Sequence, residues 1–214
     1  MTGNEPQGAE SAINYIPVSL SGGTASDIAD LVSIMGDLEF ARNCAAGYLQ
    51  RLGKAGEENE LLARALWTAC CISYRRVFTT GKGHLEPGKP RLKLKPTWTD
   101  NLTPHQLAAH ESVLDTANKH VAHRVSDLEQ VLVQGLLAPP PLPREMVGVA
   151  APILHMVGAT QQEAEQLISV CDLLLNVSDQ QWSLLVDEIK VHFNKNIDPL
   201  YEKVEAQQDD NVGT

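Results

Sequence analysis

The sequence predicts an all-α fold, an up-down bundle of four to five helices with a long loop and a short extended or hairpin insertion. Three observations lead there. Apolar residues recur near the helical period through most of 24 to 78, 104 to 124 and 160 to 193. Aromatic residues make up only 5% of the chain and β-branched residues are scattered, so Ala and Leu must fill most of the core, which suits helix packing better than sheet stacking. Helix starts are punctuated by capping patterns, Thr103-Pro104-His105-Gln106 most clearly. With 214 residues, 43% of them apolar, the chain can bury a core without metals or disulfides. We expect one domain over 23 to 206, with flexible tails at 1 to 22 and 207 to 214.

The first helix should span about 24 to 52. Ile28, Leu31, Val32, Met35, Leu38, Ala45, Tyr48 and Leu52 lie near helical spacing, Asp27 and Asp30 complement the N-terminal end of the dipole, and Gly53 closes it. The second should run from about 57 to 78, with Glu57, Glu58 and Glu60 in its first turn and Leu62, Leu66, Ala69, Ser73 and Val77 on one face. Five Gly or Pro residues between 81 and 100 require a surface loop, unusually long for a connection. A third helix begins at Pro104 and carries Leu107, His110, Leu114, Ala117 and Val121 along one side, which sets His110 on the packed face. Val131 to Val149, interrupted by Pro139-Pro140-Pro141-Leu142-Pro143, fits a hairpin or irregular extended pieces. Two further helices are expected, at about 160 to 175 and from 178 onward, the second started by a capping box at Ser178-Asp179-Gln180-Gln181 and ended or kinked by Pro199.

A formal charge of −10 argues against a chain that coats itself in nucleic acid. Residues 74 to 124, however, hold nine Lys or Arg against four acids, a local +5 that can focus an anionic ligand or simply solvate a loop. No apolar run approaches the roughly 20 residues that span a bilayer, and the N-terminus lacks a basic-then-apolar leader. A cytoplasmic location and no membrane partner are expected. Cys44, Cys70, Cys71 and Cys171 lack metal-ligand spacing and read as reduced, buried thiols.

Five of the seven histidines fall between 84 and 123. His120 and His123, three apart, share a face if the helix continues, and imidazole exchanges protons near neutral pH because its unperturbed pKa is about 6.5. They could pair with Asp115 or Glu111 as N/O ligands of a metal-dependent hydrolase, but no Glu-x-x-His or H-E-x-x-H pair accompanies them. They could equally hydrogen-bond backbone groups at a helix end. Of the nearby cations, Arg75 and Arg76 are adjacent, so only one can face the bundle, and Lys119 lowers the pKa of the neighbouring imidazoles by like-charge repulsion.

Tyr74-Arg75-Arg76-Val77-Phe78 with Gly81-Lys82, then His110, then Asn118-Lys119-His120-Val121-Ala122-His123, then Asp127-Leu128-Glu129, resembles a branch of the HEPN superfamily of small helical-bundle proteins. The likeness covers residues 25 to 195 in layout and 70 to 130 in motif. It implies a bundle of four or five helices, commonly a homodimer pairing two motif helices, no cofactor and, in active members, metal-independent endoribonuclease activity. The family's motif is an arginine, usually followed by a polar residue, with a histidine after four to six intervening positions. Counting back from His123, the arginine should stand at Thr116, Ala117 or Asn118, and it is absent. Loss of one electrostatic contact to a phosphoryl transition state costs about 3 to 4 kcal/mol, roughly a hundred- to a thousandfold in rate. On this resemblance His123, His120, Asn118 and Arg76 are the candidate catalytic residues, and Arg75, Lys82, His110, Lys119 and Arg124 the candidate binding residues. The expectation is an RNA- or nucleotide-binding protein with weak or lost ribonuclease activity. The alternative is a non-enzymatic interaction module that docks a protein partner.

Overall fold

The computed structural model describes residues 15 to 212 apart from Pro87, Lys93, Lys95, 122 to 128, Pro152, Met156 and Val157. It is mainly helical, as the periodicity predicts: α1 (Gly23–Arg51), α2 (Glu57–Phe78), α3 (Pro104–Thr116), α4 (Gln161–Asn194) and α5 (Asp198–Val212). Helix α1 packs along both α2 and α4, and α3 lies across α4 and α2. Their shared core contains Ile34, Leu38 and Ala41 of α1, Trp67, Cys70 and Tyr74 of α2, Val113 of α3, and Leu167, Val170 and Leu174 of α4. All four cysteines are free and buried, and burial pushes the Cys71 and Cys171 thiols up to about 12, which leaves them unreactive core residues.

The long C-terminal helix differs from the expected pair. Ser178 does not cap a new helix; it is fully buried inside α4 and donates its hydroxyl to the Leu174 carbonyl, 2.8 Å away. The apolar stripe continues unbroken through Leu174, Leu175, Leu185 and Ile189, so packing overrides the local capping signal. Pro199 likewise falls in the first turn of α5, where a missing N–H costs nothing, and α4 has already ended at Asn194. The backbone of α5 then stays helical to Val212, beyond the point where a frayed tail was expected.

Between α3 and α4 the chain forms one irregular two-stranded ribbon. β1 (Glu129–Val131) pairs antiparallel with β4 (Ile153–His155), and β2 (Gln134–Leu137) with β3 (Met146–Ala150), with a register shift at Leu136/Leu137. This is the predicted hairpin. The ribbon returns to the bundle at a fixed point: the Tyr48 hydroxyl donates to the Ala159 carbonyl at 2.6 Å and accepts from the Ala159 N–H at 3.0 Å. A side chain at Gly158 would place its Cβ 2.9 Å from that hydroxyl, so the close approach requires glycine there. Thr160 and Glu163 then form the reciprocal capping box that starts α4.

The 81 to 92 stretch is a clip folded onto α1. The Lys82–Pro90 bridge, Gly83 N–H to Lys89 C=O (3.0 Å) and Arg91 N–H to Gly81 C=O (2.8 Å) shape it as a small hairpin. It closes on Asp30, whose side chain is almost fully buried: the carboxylate accepts the Leu92 N–H (2.8 Å), the His84 N–H (2.9 Å) and the His84 Nδ1 (2.9 Å). Burial alone would raise the Asp30 pKa; the two backbone donors and the His84 ring outweigh it, and the carboxyl sits below its ordinary value. Leu94, nearly buried, continues the clip into the core. Asp30 therefore serves this clip, and the expectation that it complements the α1 dipole is corrected: it lies beyond the first turn, which holds no acid.

Replacing Asp30 with Ala strands two N–H groups and a histidine. We expect a loss of about 2 to 3 kcal/mol in chemical denaturation, together with trypsin cleavage at Lys82, Lys89 or Arg91 under conditions where the helical circular dichroism is intact.

Candidate functional site

The described residues singled out by sequence lie on α2, on the clip, on α3 and on the turn that follows α3. Helix α3 gives way at its C-terminus to a π-helical turn over Ala117–Val121, which carries Asn118, Lys119 and the backbone of His120. Single π turns concentrate at functional sites, because the widened ring re-aims the side chains beyond it. His123 and Arg124 lie outside the described residues, so the helical His120/His123 face is untested, and the His120 side chain is likewise not described. Asn118 and Lys119 are exposed, and Lys119 Nζ pairs with Asp115 at 2.8 Å one turn back. Both ends of that pair face solvent, so it is weak.

Ala117 is the position at which an arginine followed by the polar Asn118 would complete the motif with His123. It is 0% exposed and belongs to the central core. The buried stripe of α3 is Ala109, Val113 and Ala117, while Leu107 is exposed. The α3 face that packs is thus rotated from the one built on Leu107.

His110 is half-buried, and its partner is Tyr74 of α2. The Tyr74 hydroxyl lies 2.6 Å from His110 Nδ1, and the His110 ring stands edge-on to Phe78, with centroids 4.9 Å apart and planes at 81°. Tyr74 is 0% exposed, and burial pushes its hydroxyl above the ordinary tyrosine range, so it keeps its proton and donates. Burial also lowers the His110 pKa, against a weaker opposing pull from Glu111. Both effects favour a neutral imidazole with the proton on Nε2 and Nδ1 as acceptor. His110 thus works first as a packing residue that bolts α3 to α2.

The cations are distributed differently from the expected cluster. Arg76, expected to reach the catalytic histidines from the neighbouring helix, points to α1, where Nη1 lies 3.4 Å from Asp37 Oδ1. Arg91, with only 10% of its side chain exposed, reaches the other oxygen of Asp37 at 3.5 Å and donates to Ser33 Oγ at 2.9 Å. Lys89 Nζ pairs with Asp27 at 2.9 Å. Lys82 sits on the clip, exposed, bridged to Pro90 through its backbone. Arg75 and Lys82 make no ion pair among the described residues. Much of the basic stretch is thus turned toward an acidic strip on α1, so its local +5 is largely offset by Asp27, Asp30 and Asp37.

Asp30, Asp37 and His84 organise this region and were not among the expected site residues. The signal was present: Asp30 and Asp37 fall seven apart on the same stripe as Ile34, Ala41 and Tyr48, and an acid on an apolar stripe needs a partner. Among the described residues no group of three or more His, Cys, Asp or Glu could hold a metal, and no helix is long and apolar enough to cross a membrane.

The Tyr74–His110 bond makes stability depend on pH. In the unfolded chain the imidazole regains a pKa of about 6.5; folded, it lies lower. Between the two values the unfolded state binds more protons, so this contribution is complete above about pH 6.5 and is lost as pH falls through the window below. The melting temperature should drop from neutral pH toward about pH 5.5, and His110→Gln, which keeps an acceptor for Tyr74 without a titrating ring, should flatten that slope.

The chain matches no family model, no curated protein and no solved structure.

Proposed function

We propose that the chain is a HEPN-like helical bundle without ribonuclease chemistry, one that works as a binding module through the surface around its π turn. The observation that carries this is Ala117. Ala117, the middle of the three positions at which the motif arginine could stand, is a small apolar residue, 0% exposed, with no room for a guanidinium. Of the cations that might substitute, Arg76 and Arg91 are held by Asp37 and Lys89 by Asp27, while Arg75 makes no ion pair among the described residues and Arg124 lies outside them. Attack of a 2′-hydroxyl on phosphate needs a base and acid, which histidine supplies, and a cation for the charge that builds on the phosphoryl oxygens. In this sequence the arginine of that machinery is missing from its expected place. What the turn offers is recognition: an exposed amide at Asn118 and an ammonium at Lys119 on a re-aimed backbone.

A nucleotide-like anion is the second reading, favoured by that same amide and ammonium pair. The two readings separate on salt. An RNA or nucleotide ligand held by Lys119 binds best at low ionic strength and weakens with Lys119→Ala, whereas a protein partner held by packing is far less sensitive.

The purified chain should leave single-stranded RNA intact in EDTA. Ala117→Arg, which completes the motif spacing with His123, should restore no cleavage and should cost more than about 3 kcal/mol in stability, because it overfills the core and buries a charge. Cleavage by the native chain that is lost in His123→Ala would overturn the proposal.

A further inference from the structure

The clip carries one side chain whose chemistry the fold does not use up. The His84 main-chain N–H and ring Nδ1 both lie 2.9 Å from the same oxygen of Asp30, and the Leu92 N–H takes the other oxygen at 2.8 Å. Buried, with these donors around it and its carboxyl below the ordinary value, Asp30 is ionised at neutral pH. An ionised carboxylate can only accept, so Nδ1 of the neutral ring carries the proton and Nε2 carries the lone pair. The two nitrogens lie on opposite sides of the imidazole, and 49% of the His84 side chain is exposed. Asp30 therefore holds the ring from its buried side and leaves the Nε2 edge to solvent, with no hydrogen-bond partner among the described residues.

We propose that His84 is a phosphoryl-acceptor site, which takes a phosphoryl group on Nε2 from an activated phosphoryl donor on a second molecule. The Nε2 lone pair attacks phosphorus, an N–P bond forms, and the bond from phosphorus to the donor breaks with its electron pair leaving on the donor. Nε2 holds no proton, so none has to be removed. The ring becomes an imidazolium whose Nδ1–H stays on Asp30, and the buried carboxylate balances the positive charge as it forms.

Three features favour a phosphoryl group here. The site is open: His84 lines none of the cavities at the α1–α2 turn, beside α5 or at the start of α1, so a donor held in another protein's active site can reach it. An acyl group on imidazole hydrolyses quickly in water, whereas a phosphoryl group on Nε2 persists at neutral and alkaline pH, so an exposed ring retains the second and loses the first. The local charge suits an anion: residues 81 to 92 carry Lys82, Lys89 and Arg91 against Glu86 alone, and Lys82, two residues before His84, is exposed and makes no ion pair among the described residues. A phosphoryl group adds a charge of about −1.5 to −2 beside it. Because main chain and ring are both anchored to one oxygen, Nε2 is presented in a single direction. The site lies on the clip and does not depend on the binding role proposed for the π turn.

Phosphoramidate, a small donor that transfers its phosphoryl group to imidazoles without an enzyme and leaves as ammonia, tests this on the full native chain at about pH 8, above the ordinary imidazole pKa. Peptide mapping by mass spectrometry gives the rate at each histidine, and phosphorus NMR tells the Nδ1 adduct from the Nε2 adduct. His84 should react about tenfold faster than His105 and His192, the two other histidines exposed among the described residues, neither of which has a carboxylate on its ring there; tenfold is the effect of one charge-assisted hydrogen bond. Its product should be the Nε2 adduct alone. Asp30→Asn, which keeps the shape and an acceptor oxygen but removes the charge, should slow His84 to the rate of His105 and give both adducts. A native chain in which His84 reacts no faster than His105 and His192, or reacts at Nδ1, would overturn the proposal, and so would an Asp30→Asn chain that still reacts at Nε2 at the native rate.

Discussion

A single buried carboxylate organises much of this molecule. Asp30 sits on the apolar stripe of α1 and is stable there only because two backbone N–H groups and an imidazole close over it. That requirement runs in both directions. The chain after α2 contains too many Gly and Pro residues to form its own secondary structure, and it gains a fixed path by satisfying the acid. Once His84 and Leu92 are docked, Lys89 and Arg91 are carried to Asp27 and Asp37, so the clip's cations lie against the acidic strip of α1. The individual ion pairs at the surface are worth little. The buried Asp30 carboxylate, through its backbone donors, decides where they fall.

This geometry bears directly on function. A local excess of positive charge on a sequence suggests an anion site, but a field depends on where charges stand, and neighbouring carboxylates cancel it at short range. Arg76 is the clearest case: it lies one turn from the end of α2, beside Tyr74, and faces α1 instead of the π turn. The bundle therefore separates two things that run together in the sequence. Tyr74 and His110 tie α2 to α3, and Arg76 ties α2 to α1 and the clip.

The chain also shows two ways of treating apolar surface. In the bundle α1, α2, α3 and α4 bury apolar residues in a shared core, and even Ser178 is absorbed by a backbone hydrogen bond so that α4 can continue. In the ribbon, β2 is exposed along its whole length and most of β3 is exposed as well.

The helices, the Thr103 cap, the ribbon and the packed setting of His110 were legible in the sequence, because periodicity, capping chemistry and turn residues act over a few neighbouring positions. The motif turn was legible as a cluster of Asn118, Lys119 and His120 with no arginine at its expected place. So was the packed position of Ala117. Two things were not. The continuity of α4 through Ser178 was set by long-range packing that outweighs a local cap. The pairing of Asp30 with His84, 54 residues away, joins groups that nothing in their local sequence links. The sequence by itself determined which segments are helical and which chemical groups are present. Tertiary structure alone decided which charges meet, because a carboxylate's partner is chosen by distance in space and by exclusion of water, and neither is a property of neighbouring residues.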